Sequence, residues 1–243
     1  MMLEVTTILF YGQLVLIGII AYLLGSVNSS IIVGKFYKID IREHGSGNAG
    51  LTNTLRTLGK KAAAFVLIGD VLKGVLAILI ARLLAPTLVV NTFNMNGHII
   101  AVEKQFTDLA MQIAGILVIL GHIFPVFYKF KGGKGVLTSI TVIMMVSWQV
   151  GLACLLVFVV VVALTRYVSL GSVLAAFSFP FLIVAMDQYT EMMQDFSWLI
   201  FAVILATLVI FMHRGNIARL YNNTERKLGE KKEDYEKRIL KAY

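Results

Sequence analysis

Three segments of this 243-residue chain crowd together groups suited to gripping phosphate. The first reads HGSGNAGLTNTLRTLGKK, His44 to Lys61, with Gly45, Gly47 and Gly50 set among Ser46, Asn48, Thr52, Asn53, Thr54 and Arg56. Glycines let backbone N–H groups approach an anion with no Cβ in the way. Hydroxyls and carboxamides add directional hydrogen bonds, and Arg56 adds a planar fork that matches phosphate oxygens. A plain polar connector needs a turn glycine or two, not this density of donors.

The second segment, FKGGKG, runs from Phe130 to Gly135 directly before an apolar run. Lys131 and Lys134 flank Gly132 and Gly133 where a helix is expected to start, which combines a backbone nest with a helix N-terminus. A positively charged turn is the plainer reading. The Walker A spacing fails because Tyr128 stands where its first glycine belongs, so no nucleotide hydrolysis is inferred. The third segment, HRGNIARL, runs from His213 to Leu220 and leads to Asn223, Thr224 and Glu225. His213 and Asn216 are three apart and share a helix face. No metal-ligand spacing, HExxH or GxSxG occurs, so neither a metal nor a cofactor is expected.

The elements that must position these segments are membrane helices. The chain is 58% hydrophobic and 15% charged, with mean hydropathy +0.81, against about 25% charged for a soluble domain. Seven apolar runs qualify as candidate spans: Tyr11–Val33, Ala62–Ala85, Leu109–Tyr128, Val136–Trp148, Gly151–Leu164, Val168–Met186 and Phe196–Met212. The fourth and fifth are short for a crossing of about 20 residues; Val136–Leu164 is either two short spans, one long bent helix or a re-entrant pair. Met1 to Phe10 has no Lys or Arg, so a cleaved signal is not expected.

Charge decides between these counts. With seven spans and the N-terminus outside, nineteen lysines and arginines face inward and Lys104 alone faces outward. The net charge of +8 then reflects loops near anionic lipid, and no nucleic acid partner is expected. All three donor-rich segments fall on the cytoplasmic face. Their ligand is a cytoplasmic phosphate compound, or two, with room among the spans for an acyl chain. The expected architecture is one all-α integral membrane domain over residues 1–243, with 225–243 as a charged cytoplasmic tail, solvated or lying on the lipid surface. Cys154 is the only cysteine and lies in an apolar run, so no intramolecular disulfide is possible.

Several polar residues fall within or beside the spans. Asp70 and Lys73, three apart, suit either a buried ion pair or a substrate contact, since charges at membrane depth need partners. Ser169 and Ser172 sit at an inner helix end, as small packing residues or ligand contacts. His122 and Pro125 shape the entry to FKGGKG.

These residues also carry a resemblance. GSGNAGLTNTLR, Asp70 with Lys73-Gly74, HIFPVFYKFKGGKGVLTS, TRYVSLGS and HRGNIARLYNNTE, in that order, closely resemble the bacterial acyl-phosphate–glycerol-3-phosphate acyltransferase family from about Gly25 to Leu228. The resemblance implies seven spans in the bacterial plasma (inner) membrane and a cytoplasmic active site. It implies transfer of an acyl group from acyl phosphate to the 1-hydroxyl of glycerol 3-phosphate, giving lysophosphatidic acid and phosphate. It also implies a functional link to a soluble phosphate acyltransferase that makes the donor. Ser46, Arg56, His213 and Asn216 match residues important for activity. Asn48, Thr52 and Asn53 match polar neighbours in the first motif, Gly132, Gly133, Lys134 and Gly135 match the phosphate loop, and Glu225 matches a mainly structural acid. The residues themselves add Gly47, Lys73, Lys131, Ser169 and Ser172 as candidate binding groups and Asp70 and His122 as candidate structural ones. Which loop holds which phosphate stays open, as does whether His213 or the donor phosphate takes the proton. Pro86–Thr107 and Asp187–Phe196 look longer than the family usually shows.

Two rivals are disfavoured. The thioester-using acyltransferases carry His and Asp five residues apart, but the positions after His44, His98, His122 and His213 hold Ala49, Glu103, Phe127 and Ala218. A transporter for a phosphorylated solute requires polar residues along the whole path, whereas here the outer halves of the spans are nearly bare.

Overall fold

Lipid offers the backbone no hydrogen bonds, so spans this apolar must satisfy their own polar groups by forming helices. A computed structural model describes residues 2–92 and 99–240, and every regular element among them is helical. The chain divides into two units, Met1–Val146 and Ser147–Tyr243.

The first unit opens with α1 (Met2–Ser26) and α2 (Ser29–Phe36). The break between them has a local cause. Asn28 adopts an extended backbone, and its carboxamide oxygen accepts from the Ile31 N–H at 3.1 Å, capping α2. Asp40 caps a 3-10 turn (Ile41–Glu43), and the first glycine loop runs into α3 (Leu51–Leu58). Gly59, at φ +84°, turns the chain into α4 (Lys60–Thr92). Next come α5 (Ile99–Ile123), a 3-10 turn (Val126–Tyr128), the second glycine loop and α6 (Val136–Val146). Helices α1, α4 and α5 pack on one another, with α3 and α6 against α4. Small residues bring α1 and α5 into backbone contact: a Cβ on Gly25 would collide with the Val118 carbonyl, and one on Gly121 with the Tyr22 carbonyl.

In the second unit α7 (Trp148–Thr165) is capped by Ser147 and ended by a left-handed Arg166. A Cβ on Gly171 of α8 (Val168–Ala185) would meet the Phe158 carbonyl of α7 at 3.0 Å. After α9 (Asp187–Thr190) and a 3-10 turn (Met192–Gln194), α10 (Ser197–Met212) and α11 (Arg214–Tyr221) bend by 57° across His213. The last described helix is α12 (Lys232–Leu240).

Five segments are long and apolar enough to cross a bilayer: Phe10–Phe36, Lys60–Ala85, Gln105–Tyr128, Trp148–Thr165 and Val168–Ala185. The bent pair α10–α11 makes six. The expectation at Val136–Trp148 is modified. Helix α6 has 11 residues, about 16 Å at 1.5 Å per residue, roughly half the hydrocarbon thickness. Ser147 separates it from α7, so Val136–Leu164 is two helices and not one long bent helix. Leu152, Leu156, Val159 and Leu164 leave α7 with an exposed apolar surface suited to lipid. Residues 93–98, inside the long Pro86–Thr107 stretch, lie outside the described residues, as do Met1 and 241–243 of the tail.

Candidate active site

The first loop rests on a small apolar base. Ile41 and Ala49 are fully buried with Ile31, and Ile39, Leu58 and Tyr128 pack against them. Full burial of an isoleucine side chain is worth about 1.5–3 kcal/mol, enough to pin a short loop at both ends. Asn53 reaches back from α3 and organises what lies between. Its Nδ2 donates to the Ile41 and His44 carbonyls at 3.1 and 2.9 Å, and its Oδ1 accepts from the Ser46 N–H at 2.8 Å. Gly45 and Gly47 take left-handed conformations, φ +62° and +70°, and Ser46 between them is exposed. Asn48, Thr52 and Arg56 are half-buried.

The second loop is tied to the end of α5. The Gly132 N–H donates to the Ile123 carbonyl at 3.0 Å and the Gly133 N–H to the His122 carbonyl at 3.1 Å. These bonds satisfy carbonyls that the end of α5 leaves open. Glycine is required here because a Cβ on Gly132 would collide with the His122 carbonyl, and one on Gly133 with the His122 ring and the Ala49 carbonyl. Ala49 belongs to the first loop, so the two glycine loops touch. Arg42 joins them further. Asp40 grips its Nε and Nη2 at 2.9 and 2.7 Å, and its Nη1 donates to the Tyr128 carbonyl at 3.1 Å and the Lys131 carbonyl at 3.4 Å. The guanidinium bond holds the Asp40 carboxyl down to about 2.

Beneath the loops lies a buried polar cluster. Asp70 accepts from Ser29 Oγ at 2.9 Å and pairs with Lys73 at 2.9 Å. Lys73 Nζ also contacts the Gly25 and Val27 carbonyls, at 3.3 and 3.2 Å, and His122 Nδ1 at 2.8 Å. The two carbonyls are left without helical partners where α1 breaks, so Lys73 repairs the break that Asn28 imposes.

The third motif is built inside the second unit around Glu225. Its Oε1 accepts from Ser169 Oγ at 2.7 Å and Asn216 Nδ2 at 2.6 Å, and its Oε2 from Arg219 Nε at 2.7 Å. Burial pushes this carboxyl up, but the bonds from Asn216, Ser169 and Arg219 outweigh it and the net shift is downward. His213, 3% exposed, sits at the bend with Nδ1 2.7 Å from the Val209 carbonyl. A carbonyl only accepts, so Nδ1 carries a proton.

The structure shows what these side chains touch. Lys73, read from the sequence as either an ion-pair partner or a substrate contact, bonds to Asp70, His122 and the carbonyls at the end of α1. Asn53 is committed to the loop backbone. Ser169 serves Glu225, and Ser172 donates to its own helix at Val168 O, 2.9 Å. The N–H groups of Gly132 and Gly133 are likewise bonded to carbonyls at the end of α5. Asp70 and His122 bond to Lys73 or its neighbours, and Glu225 to Asn216, Ser169 and Arg219. Arg42 was legible only as one more inward charge; the Asp40–Arg42 spacing was its one overlooked signal. Among the described residues, no group of His, Cys, Asp or Glu is placed to hold a metal.

Residues 15–223 match the family model described as glycerol-3-phosphate acyltransferase. The chain belongs to the glycerol-3-phosphate acyltransferase family. It is 48% identical over 220 residues to the glycerol-3-phosphate acyltransferase of Thermoanaerobacter pseudethanolicus, covering 90% of this chain and 98% of that one. With the enzyme of Clostridioides difficile the identity is 44% over 220 residues, covering 90% and 97%. Among solved structures, PlsY (YgiH), an integral membrane glycerol 3-phosphate acyltransferase in its glycerol 3-phosphate form, superposes with a TM-score of 0.72. The identity there is 35%, over 89% of this chain and 96% of that one. This acyltransferase is thus a multi-pass membrane protein, and its first two donor-rich loops lie wholly within the family match. Glu225 and α12 lie beyond it.

Proposed function

We propose that this acyltransferase moves a fatty acyl group from acyl phosphate to the 1-hydroxyl of sn-glycerol 3-phosphate, releasing lysophosphatidic acid and inorganic phosphate. The observation that carries the reading is the pair of glycine loops, tied together at Ala49, Gly133 and Arg42, with Arg56 and Lys134 supplied beside them. Solved PlsY structures described as glycerol 3-phosphate and lysophosphatidic acid forms, 35% and 34% identical to this chain, support the acceptor and the product.

In this reading Arg56, Lys131, Lys134, Gly135 and the open N–H groups of the first turn of α6 hold phosphate oxygens. Ser46, Gly47, Asn48 and Thr52 line the first loop around them. The glycerol hydroxyl oxygen attacks the acyl carbon, the carbon–oxygen bond to phosphate breaks, and the leaving phosphate takes the hydroxyl proton. An acyl phosphate is already activated, so no protein nucleophile is needed. Cations and N–H donors supply the charge stabilisation that dominates such transfers, and side-by-side binding supplies proximity. His213 and Asn216 act as polar catalytic groups, with the Nε2 lone pair of His213 the competing proton acceptor.

The active site is placed on the cytoplasmic face of a bacterial plasma membrane. Seven crossings, with α6 as a short one, keep the nine Lys and Arg of the tail on the same side as the basic first loop. Leaving α6 out of the count moves them to the opposite side. The donor calls for a soluble phosphate acyltransferase that makes it. The deciding experiment gives purified protein in micelles palmitoyl phosphate and glycerol 3-phosphate and follows phosphate release. Turnover with acyl phosphate and silence with acyl-CoA supports the reading; the reverse overturns it.

A further inference from the structure

The tail after Leu228 does more than lie in water. Arg166 Nε and Nη2 first clamp the chain at the Leu228 carbonyl, 3.2 and 2.9 Å away, and the Arg166 carbonyl accepts from the Leu228 N–H at 2.7 Å. The chain then turns through Gly229, at φ +72°, and α12 folds back. Arg238 of α12 donates to the Asn223 carbonyl at 2.5 Å and the Glu225 carbonyl at 2.8 Å. Its remaining donor capacity goes to Glu230, at 2.8 and 3.0 Å. Tyr235 Oη donates to the Thr224 carbonyl at 3.1 Å, and the Arg226 and Arg238 guanidiniums lie 5.7 and 5.6 Å from its ring. Every backbone carbonyl from 223 to 225 is therefore held by α12. That short stretch delivers the Glu225 carboxylate, which in turn holds Asn216, Ser169 and Arg219.

We infer that α12 is a positioning element for the acyl-transfer reaction: Arg238 and Tyr235 fix the backbone of Asn223–Glu225, and Glu225 thereby aims Asn216. The inference rests on the proposed catalytic role of Asn216. A merely solvated tail has no reason to place an arginine on two successive alternate carbonyls of a motif loop while a glutamate, Glu230, pins that arginine in turn. Glu230 holds the guanidinium bidentately while separate nitrogens reach the Asn223 and Glu225 carbonyls, and a planar fork fixed in this way is directional, which suits aiming better than anchoring.

The test uses the full-length protein in micelles, with palmitoyl phosphate and glycerol 3-phosphate. Arg238→Ala is expected to lower kcat about tenfold while KM for both substrates stays within about twofold, the pattern of a lost transition-state alignment. Arg238→Lys is expected to recover part of kcat, because one donor still reaches a carbonyl. Lys237→Ala, on the exposed side of α12, serves as the control at wild-type rate. In a Glu225→Gln background the effect of Arg238→Ala on kcat should shrink, since both act on Asn216 through one path. Arg238→Ala turning over at the wild-type rate overturns the inference. So does a fall in rate that merely tracks the folded fraction, with Arg238→Lys no better. A wild-type protein inactive with acyl phosphate would instead sink the proposed function itself.

Discussion

Replacing Lys73 by Met separates the two readings of that residue. The ion pair it forms with Asp70 has side-chain exposures of 5% and 1%, so water does not screen it. Removing one partner of such a pair leaves a buried carboxylate with only Ser29 and His122 for company, a loss of about 3–5 kcal/mol. Lys73→Met also strips the Gly25 and Val27 carbonyls of their donor, and an unmade bond to a buried group costs about 1–3 kcal/mol. The terms overlap, and about 4 kcal/mol is the expectation, a fall in melting temperature on the order of 10 °C for a chain of this size. Asp70→Asn with Lys73→Met removes both charges and should recover more than half of that loss. The assay is thermal unfolding in detergent, paired with KM for glycerol 3-phosphate on the protein that remains folded. The framework reading expects an unchanged KM. A Lys73→Met protein as stable as wild type but with KM raised tenfold or more would return Lys73 to the substrate and refute the argument.

Three further outcomes are expected. Gly133→Ala should abolish turnover or folding, because its methyl collides with the His122 ring and the Ala49 carbonyl, whereas Gly47→Ala, whose methyl meets only the Arg42 carbonyl at 3.2 Å, should cost backbone strain and leave a measurable rate. His213→Gln should retain appreciable turnover if the donor phosphate takes the proton; complete loss of turnover with glycerol 3-phosphate binding unchanged assigns the proton to His213. Asp40, held at about 2 against 3.8 in the unfolded chain, should contribute stability that is full above about pH 5 and lost as pH falls toward 2. Denaturant titrations of wild type and Asp40→Asn should therefore converge at low pH and differ by a constant amount near neutrality.

Residue type and spacing were enough to reveal the helical class, the membrane setting and the three donor-rich motifs, because each follows from local chemistry. A run of 20 apolar residues has one economical structure in lipid, and two lysines around a double glycine advertise a positive turn whatever surrounds them. Assignment of donors was not legible in the same way. Asn53 and Asn48 are the same residue type five positions apart, yet only the fold shows Asn53 turned inward onto three backbone groups. Ser169 reads as either a packing residue or a ligand hydroxyl until Glu225, 56 residues later in sequence, is placed against it. The short α6 was visible as a length deficit, but its separation from α7 depends on the extended conformation of Ser147, which a serine between two apolar runs does not announce. Arg42 was hidden by its company, one cation among several in a segment where any cation suits the membrane.

The distribution of these bonds also bears on how such a site works. In the proposed reaction the acyl phosphate needs no nucleophile, so the protein's task is to hold charged donors where charge develops, and donors are only as useful as they are rigid. In the first unit rigidity is supplied by bonds within the protein: Asn53 holds the first loop, Arg42 and Gly133 hold the loops to each other, and the Asp70, Lys73 and His122 cluster joins the end of α5 to the broken α1. In the second, Glu225 does the same for Asn216. A motif residue of this chain can grip its neighbours or its substrate, and the two roles separate by experiment in one respect. Framework substitutions such as Asn53→Ala should lower the melting temperature and kcat together, while Arg56→Lys, which keeps the charge and loses the planar fork, should leave the melting temperature in place and raise KM or lower kcat by about tenfold. If Arg56→Lys instead unfolds the protein, Arg56 belongs with the framework and the phosphate must be held by Lys134 and the start of α6.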